Sequence, residues 1–363
     1  MKMKKLFLGT VLLSALTYTG CTNDSTENWN ENADSADLST LSALSTEEIA
    51  ASLSTDIAME DVAIIINDQF EAKLGSINTP TTAVPAYTSI LPTTAVSSYI
   101  DTAVTSGTTT TTTRTITITF GTDTAPAVFR GRNLKGQIIL NQIFTTSTTK
   151  NVTVTFNNFS INDSKIEGTG TWQRVLVAAT PTVPVHPKNT FTMIEIKHST
   201  STGIYLRNGW IAREMIAGFS TRTNLNDDVN AVNVAYVTLN QAGYLMSAFT
   251  IATLGTPLIY NTACSLGAAP IPFAGSGTLF ISKNLHSAVI KYGAGDCDNV
   301  VSLAMDINLS DYFTGPPVAY GSNLYVIVPS GTTPPTPAEV TAQVTPKFNA
   351  KFDEKAAPFT LPQ

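Results

Sequence analysis

The sequence is poor in charged residues, which make up 13% of its 363 positions, against about a quarter in ordinary soluble proteins. Its net charge is −6, so it lacks the basic excess that nucleic-acid binding requires. Nucleic acid is therefore not an expected partner.

Common motifs of catalysis are missing as well. The sequence contains no Gly-x-Ser-x-Gly nucleophile elbow, no His-Glu-x-x-His zinc motif and no Cys-x-x-Cys pair. The segment Ala274-Gly275-Ser276-Gly277 is one glycine short of the elbow. We therefore predict no catalytic residue, no metal ligand and no cofactor, and we expect that the protein is not an enzyme.

Threonine, in contrast, is abundant at about 15% of residues, and threonine favours β structure. From Arg114, apolar residues alternate with threonines in the period-2 pattern of a strand, and such patterns recur to about residue 312. No ten-residue helical pattern separates the strands, which argues against a parallel sheet. The predicted fold class is mainly β, an antiparallel meander sheet (sandwich or half-barrel) with one N-terminal amphipathic helix. The predicted strands are 137–144, 151–159, 165–177, 190–197, 204–210, 232–239, 244–251, 278–282, 287–292, 300–307 and 324–328.

The predicted helix precedes the strands. Ser45 and Glu48 have the spacing of a capping box, and apolar residues then recur at helical spacing over roughly 55–74. The Thr/Pro-rich stretch 79–113 is predicted to be a linker or a segment that lies on the surface. A short helix is expected after Pro337, and the residues from about Lys347 are expected to form a loose tail.

The N-terminus has the pattern of a secretory signal. Three lysines precede an apolar run from Leu6 to Leu16, which is too short to span a bilayer as a helix. Gly20-Cys21 then resembles a bacterial lipobox, although Tyr18 stands where an aliphatic residue is usual. We predict that Cys21 is the lipid-attachment residue, with ordinary secretion as the alternative.

Cleavage before Cys21 removes three lysines and no acid, which shifts the net charge from −6 to −9.

We predict that the chain has five parts: a signal peptide (1–20), an acidic tether (21–44), a helix with a Thr/Pro-rich linker (45–113), a β domain (114–330) and a Pro-rich C-terminal segment (331–363).

With Cys21 lipidated, Cys264 and Cys297 remain as an even pair. A disulfide between them is the default in an oxidising compartment. The alternative is a catalytic thiol, which would need one of the three histidines, His186, His198 or His286, beside it.

Four groups of residues occur in order along the β domain. They are Thr117–Gly121 with Gly131-Arg132 and Lys135–Ile139; Val152–Phe159 with Asn162 and Lys165–Thr169; Trp210 with Gly218 and Asp227–Val229; and Tyr292–Asn299. Together they resemble a family of Bacteroidota outer-membrane lipoproteins of unassigned function. The resemblance implies a lipid-anchored protein with an N-terminal helix and a mostly antiparallel β domain, and it brings no catalytic residue. No cysteine follows Gly121, where that family often has one.

Two acidic clusters are candidate sites. Asp296, Asp298 and Asn299 could offer oxygen ligands to calcium, or they could bond the amides of their own glycine-containing turn, which we favour. Asp227-Asp228 could act as an acid pair in glycoside hydrolysis. Loop capping is the preferred interpretation, because adjacent residues of a strand point to opposite faces.

Trp172 is the candidate ligand-binding residue. Period-2 alternation places it on one face with Gly168 and Gly170, which could form a shelf for a sugar ring. If that face is covered by the N-terminal helix, Trp172 is a core residue instead, and this is the favoured interpretation.

We therefore expect a lipid-anchored protein of the outer membrane, exposed at the cell surface, that acts by binding a glycan or a surface protein or as surface architecture. The alternative is a glycan-processing or other hydrolytic enzyme whose site is not visible in the sequence. Asp24, Asp34, Asp101 and Asp123 each begin a short motif resembling Bacteroidota O-glycosylation sites.

Overall fold

The computed structural model describes residues 44–74, 89–144, 149–201, 203–218, 227–242, 245–253, 256–266, 269–270, 274–283, 286–295, 298–305, 317–320, 324–327 and 355–360. This part of the chain is mainly β with one long helix, as predicted. Helix α1 spans Thr46–Gln69 and is followed by a π-helical turn, Phe70–Leu74. Its N-terminus carries the predicted capping box: Ser45 Oγ accepts from the Glu48 amide, and Glu48 Oε2 accepts from the Ser45 amide.

The strands follow α1 in the chain. They are β1 (Val96–Ser106), β2 (Thr109–Thr119), β3 (Ala127–Phe129), β4 (Arg132–Ile143), β5 (Lys150–Ile161), β6 (Ser164–Val177), β7 (His186–Thr200), β8 (Gly203–Ala217), β9 (Val229–Ala242), β10 (Leu245–Thr253), β11 (Leu258–Asn261), β12 (Ser265–Leu266), β13 (Ala269–Pro270), β14 (Gly277–Lys283), β15 (His286–Tyr292), β16 (Val300–Met305), β17 (Pro317–Tyr320), β18 (Leu324–Ile327) and β19 (Ala357–Thr360).

Most of these strands form one antiparallel meander, which confirms the predicted sheet type. Its order is β1-β2-β4-β5-β6-β7-β8-β9-β10-β14-β15-β16-β19, with β3 beside β4 and β11 beside β9. The pairs β12–β13 and β17–β18 form two small separate sheets. Neighbouring strands of the main sheet are mostly consecutive in the chain, because short turns join antiparallel strands readily.

A band of irregular backbone crosses the sheet from β4 to β7. Strands β5 and β7 each carry an extra residue relative to both neighbours, near Asn158 and Glu195. Gly136 in β4 and Gly168 in β6 lie beside these bulges, and all four residues have positive φ angles. Bulges bend their strands and increase the local twist, so adjacent bulges curve the sheet.

The curved sheet packs around the second half of α1, from Ala58 to Ile66. Nine consecutive helix residues, 58–66, are buried, and nine residues make more than two helical turns. Acidic side chains of α1 and of the π-helical turn pair with cations of the surrounding strands: Glu48 with Lys283, Asp56 with Arg207, Glu60 with Arg213, Asp61 with Arg132, and Glu71 with Arg174. The predicted helix is therefore confirmed, but it begins at Thr46 and is enclosed rather than packed by one face alone.

Two sequence predictions about irregular segments were wrong. Part of the predicted linker 79–113 is the hairpin β1–β2, in which Ser106 pairs with Thr109 around a two-residue turn at 107–108. Part of the predicted tail is strand β19, which pairs with β16. The low apolar content of β1 and β19 is consistent with their position as the two edge strands of the main sheet in the described part of the chain. The predicted helix after Pro337 lies outside the described residues.

Candidate functional site

A cavity of about 280 Å³ opens beside the C-terminal half of α1. Six parts of the chain contribute its walls: α1, the segment before β1, the β3–β4 hairpin, β8, the start of β9, and the turn after β11. The lining residues are Ile64, Asn67, Ile90, Pro92, Val128, Phe129, Arg130, Arg213, Asp228, Asn230 and Thr262. Apolar residues form one part of the wall, and two arginines, one aspartate, two asparagines and one threonine form the rest.

The wall made by Ile90 and Pro92 is held by the end of α1. The buried Asp68 carboxylate accepts from the Ser89 hydroxyl at 2.6 Å and from the Ile90 amide at 2.9 Å. Hydrogen bonds to a charged acceptor are stronger than neutral ones. The segment before β1 is therefore fixed to the helix that forms the opposite side of the cavity.

Arg130 reaches the cavity from a tight hairpin turn. Phe129 pairs with Arg132, and the two residues between them, Arg130 and Gly131, have φ angles of 51° and 79°. Positive φ at both positions defines a turn of the type I′ class, which matches the twist of a hairpin. An arginine seldom adopts this conformation, so the turn stores strain in order to place this side chain.

Among the described residues Arg130 forms no ion pair, whereas the nearby Arg132 and Arg213 each form one. Arg132 bonds Asp61 at 2.5 Å. Arg213 bonds Glu60, and the side chains of Arg213 and Glu60 are each 5% exposed. Among the described residues, Arg130 itself makes no ion pair or hydrogen bond. Burial lowers the pKa of Arg130, against the attraction of Asp61 and Glu60. It nevertheless stays protonated at physiological pH, because arginine starts from about 12.5.

Asp228 faces this arginine-rich wall from the loop before β9. Its carbonyl accepts from both the amide and the hydroxyl of Thr262, at 3.0 and 2.8 Å. Burial, together with the nearby Asp227 and Glu71, raises the pKa of Asp228 to about 7, while Arg213 opposes the shift. The carboxyl group therefore exchanges its proton near neutral pH.

Asn67 adds a donor to the wall. Its Oδ1 accepts from Arg174 and from Asn189, each at 3.2 Å. With the oxygen held by these two donors, the amide Nδ2 is the group left for the cavity. The described wall thus presents donors from Asn67, Arg130 and Arg213 and acceptors from Asp228 and Asn230.

The two residues of the Asp227-Asp228 pair do not share a site. Both precede β9, so the alternation argument for a strand does not apply to them. Asp227 is exposed, whereas Asp228 is buried at the cavity. Asp228 also supports the turn after β11 through its carbonyl. That contact uses the main-chain carbonyl, which any residue has, so it does not test the capping interpretation of the carboxyl group.

Trp172 is not a ligand-binding residue but part of the core, which corrects that candidate assignment. Its side chain is 1% exposed and packs on Phe191 with ring centroids 6.1 Å apart. The space at Gly170 is filled by the same ring, because a Cβ there would lie 2.5 Å from a Phe191 ring carbon. The bulge in the neighbouring strand leaves Gly168 exposed, so the three residues do not form one open shelf.

The cysteines, the histidines and the acidic turn are placed as follows. Cys264 is buried after β11, while Cys21 and Cys297 lie outside the described residues. Burial lowers the pKa of His198, and His186 bonds Glu214. Asp298 accepts from the Val300 amide, as expected for a turn, and Asp296 lies outside the described residues.

Within the described ranges no cluster of His, Cys, Asp or Glu could hold a metal ion. No helix in these ranges is long and apolar enough to cross a membrane.

Sequence reasoning missed Asn67, Arg130 and Arg213. The one available signal was Gly131 after the apolar segment Ala127–Phe129, because glycine readily adopts the positive φ of a tight hairpin turn. Comparisons with protein-family models, with curated proteins and with solved structures found no match to this chain.

Proposed function

We propose that this is a lipid-anchored protein of the outer-membrane surface that binds a small ligand without transforming it. The observation that carries the proposal is the cavity at Arg130. Binding sites are typically concave, mostly apolar, and furnished with a few polar groups that fix orientation. Here the half-buried Arg130 of a strained turn and the buried carboxyl group of Asp228 converge on such a space.

A hydrolytic enzyme is the second candidate, and Asp228 is the observation that favours it. A carboxyl group whose pKa is about 7 could donate a proton to a leaving group at neutral pH. Glycoside hydrolysis needs a second carboxyl group across the scissile bond. Of the described residues that line the cavity, Asp228 is the one that carries a carboxyl group, so we favour binding.

The binding proposal is tested by a thermal-shift screen of sugars, sugar acids, amino acids and phosphate against the full-length protein in detergent. We expect at least one class to raise the melting temperature, because a ligand that binds only the folded state stabilises it. The variant Asn230→Leu removes an amide from the wall of the cavity, and we expect it to reduce the shift in melting temperature. A shift that persists unchanged in this variant, or no shift with any class, contradicts the proposal.

The anchor rests on the order of the charged start, the apolar run and Gly20-Cys21. Metabolic labelling with a fatty-acid analogue is expected to mark the wild-type protein and not Cys21→Ala. Cys264→Ala is the matched control and is expected to retain the label. Equal labelling of wild type and Cys21→Ala, or no labelling of either, contradicts the lipid anchor.

We also propose the disulfide between Cys264 and Cys297. Backbone hydrogen bonds support it by joining the segments that carry the two residues. The Gly295 amide donates to the Gly275 carbonyl, and the Gly275 amide donates to the Ile259 carbonyl, each at 2.8 Å. Gly295, which precedes Cys297 by two residues in the sequence, is thus linked through Gly275 to β11, and Cys264 follows β11 by three residues.

A further inference from the structure

We propose that the ligand of the cavity is a small organic monocarboxylate whose carboxylate is bound by Arg130. This inference rests on the proposed binding function and adds the chemical class of the ligand. Arginine suits the role because its planar fork of donors matches the two oxygens of a carboxylate.

The charge balance of the wall favours an anion with one negative charge. Arg132, Arg174 and Arg213 are already neutralised by acids of the helical segment 46–74. Arg130 is therefore the one arginine of the cavity without an ion pair among the described residues. A dianion would bring a second negative charge toward Asp228 and the nearby Glu60 and Asp61, with no further cation to match it.

The size and the remaining surface narrow the class further. A volume of about 280 Å³ lies below the usual range for drug-sized ligands, so the ligand is about as large as a monosaccharide or an amino acid. Ile64, Ile90 and Pro92 offer apolar contact to its carbon skeleton. Asp228 and Asn230 offer acceptors for hydroxyl groups or for an ammonium group.

Two kinds of small molecule share this chemistry, namely a sugar acid and an amino acid, and pH separates them. The charged groups around Asp228 are Asp227, Arg213, Glu71 and, across the cavity, Arg130. A sugar acid brings only negative charge and binds better when Asp228 is protonated, so its affinity rises as the pH falls from 8 to 6. An amino acid places its ammonium group on the ionised carboxylate, so its affinity falls over the same interval.

The test is calorimetric titration of the full-length protein in detergent with D-glucuronate, L-leucine, D-glucose and inorganic phosphate, at pH 6 and pH 8. We expect glucuronate or leucine to bind, and we expect Arg130→Gln to weaken that binding at least tenfold, as loss of a charged hydrogen-bonded pair implies. Arg114→Gln, a change at a partly exposed ion pair outside the cavity, is the matched control and is expected to bind as the wild type does.

The outcomes separate this inference from the proposed function. If glucose binds as tightly as glucuronate and Arg130→Gln has no effect, the carboxylate inference is overturned while ligand binding stands. If phosphate binds more tightly than either carboxylate, the site is a general anion site and the inference is also overturned. If none of the four probes binds, both the inference and the binding proposal fail.

Discussion

Replacing Arg207 with methionine is expected to lower the free energy of unfolding by about 3–5 kcal/mol, the usual cost of breaking a buried ion pair. Arg207 is fully buried on β8, with Nη1 2.7 Å from Asp56 Oδ1 and Nη2 3.1 Å from the Ser52 carbonyl. It also lies over the Tyr236 ring, 4.8 Å from the ring centroid. The variant retains the volume of the chain but leaves Asp56 without its cation.

Urea denaturation of Arg207→Met measures this loss. The control is Lys188→Met, which breaks an ion pair with Glu214 whose lysine side chain is 46% exposed and which is expected to cost less than about 1 kcal/mol. Combining Arg207→Met with Asp56→Asn removes both charges and is expected to recover a large part of the loss. Equal costs for Arg207→Met and Lys188→Met contradict the enclosed position of α1.

Trp172→Ala is expected to cost about 3–5 kcal/mol, because deleting a buried aromatic ring removes its packing and leaves a cavity. Trp172 is among the largest fully buried side chains of the described structure, and it packs on Phe191. Ligand binding is expected to remain in any folded fraction, since the cavity at Arg130 does not include this residue.

Leu176→Ala on the same strand is the control for Trp172. Its side chain is 53% exposed, so its truncation is expected to change stability by no more than about 0.5 kcal/mol. Thermal unfolding of both variants gives the comparison. A stable Trp172→Ala protein that no longer binds glycans on an array would restore the sugar-shelf interpretation of this residue.

The strands could be predicted because apolar side chains and threonines alternate along them. In β2, Ile116 and Ile118 are buried while the intervening threonines are not, as the period-2 pattern requires. The hairpin β1–β2 was missed because 10 of the 11 residues of β1 are exposed, which leaves no apolar alternation to read. Edge position, rather than a lack of strand structure, removed the signal.

The curvature of the sheet and the enclosure of α1 could not be predicted from local pattern. Gly136, Asn158 and Gly168 occur in the residue groups that carry the family resemblance, but their alignment across three strands depends on pairing register. The acids Asp56, Glu60 and Asp61 of α1 form ion pairs with strand residues. Their cations come from β4 and β8, far along the chain, so the pairing is a tertiary property.

The cavity was only partly visible in the sequence. Asp228 could be singled out as one of two adjacent acids, but strand alternation does not explain why the two side chains separate, since both residues precede β9. Arg130 carries no motif of its own, because its role depends on a turn conformation and on the ion pairs that its neighbours form. That Arg130 lacks an ion pair among the described residues becomes evident only when the partners of Arg132 and Arg213 are located in the structure.

The central claim is that the protein binds a small carboxylate without transforming it, and the fate of the bound molecule tests it most directly. The measurement is an NMR time course of ¹³C-labelled glucuronate or leucine, whichever binds, with the full-length wild-type protein in detergent. If the protein binds the carboxylate without transforming it, we expect the ligand resonances to broaden or shift on binding. We also expect the same molecule to be recovered unchanged after prolonged incubation. Appearance of product resonances that are absent with Asp228→Asn would show a catalyst at this cavity and would contradict the account.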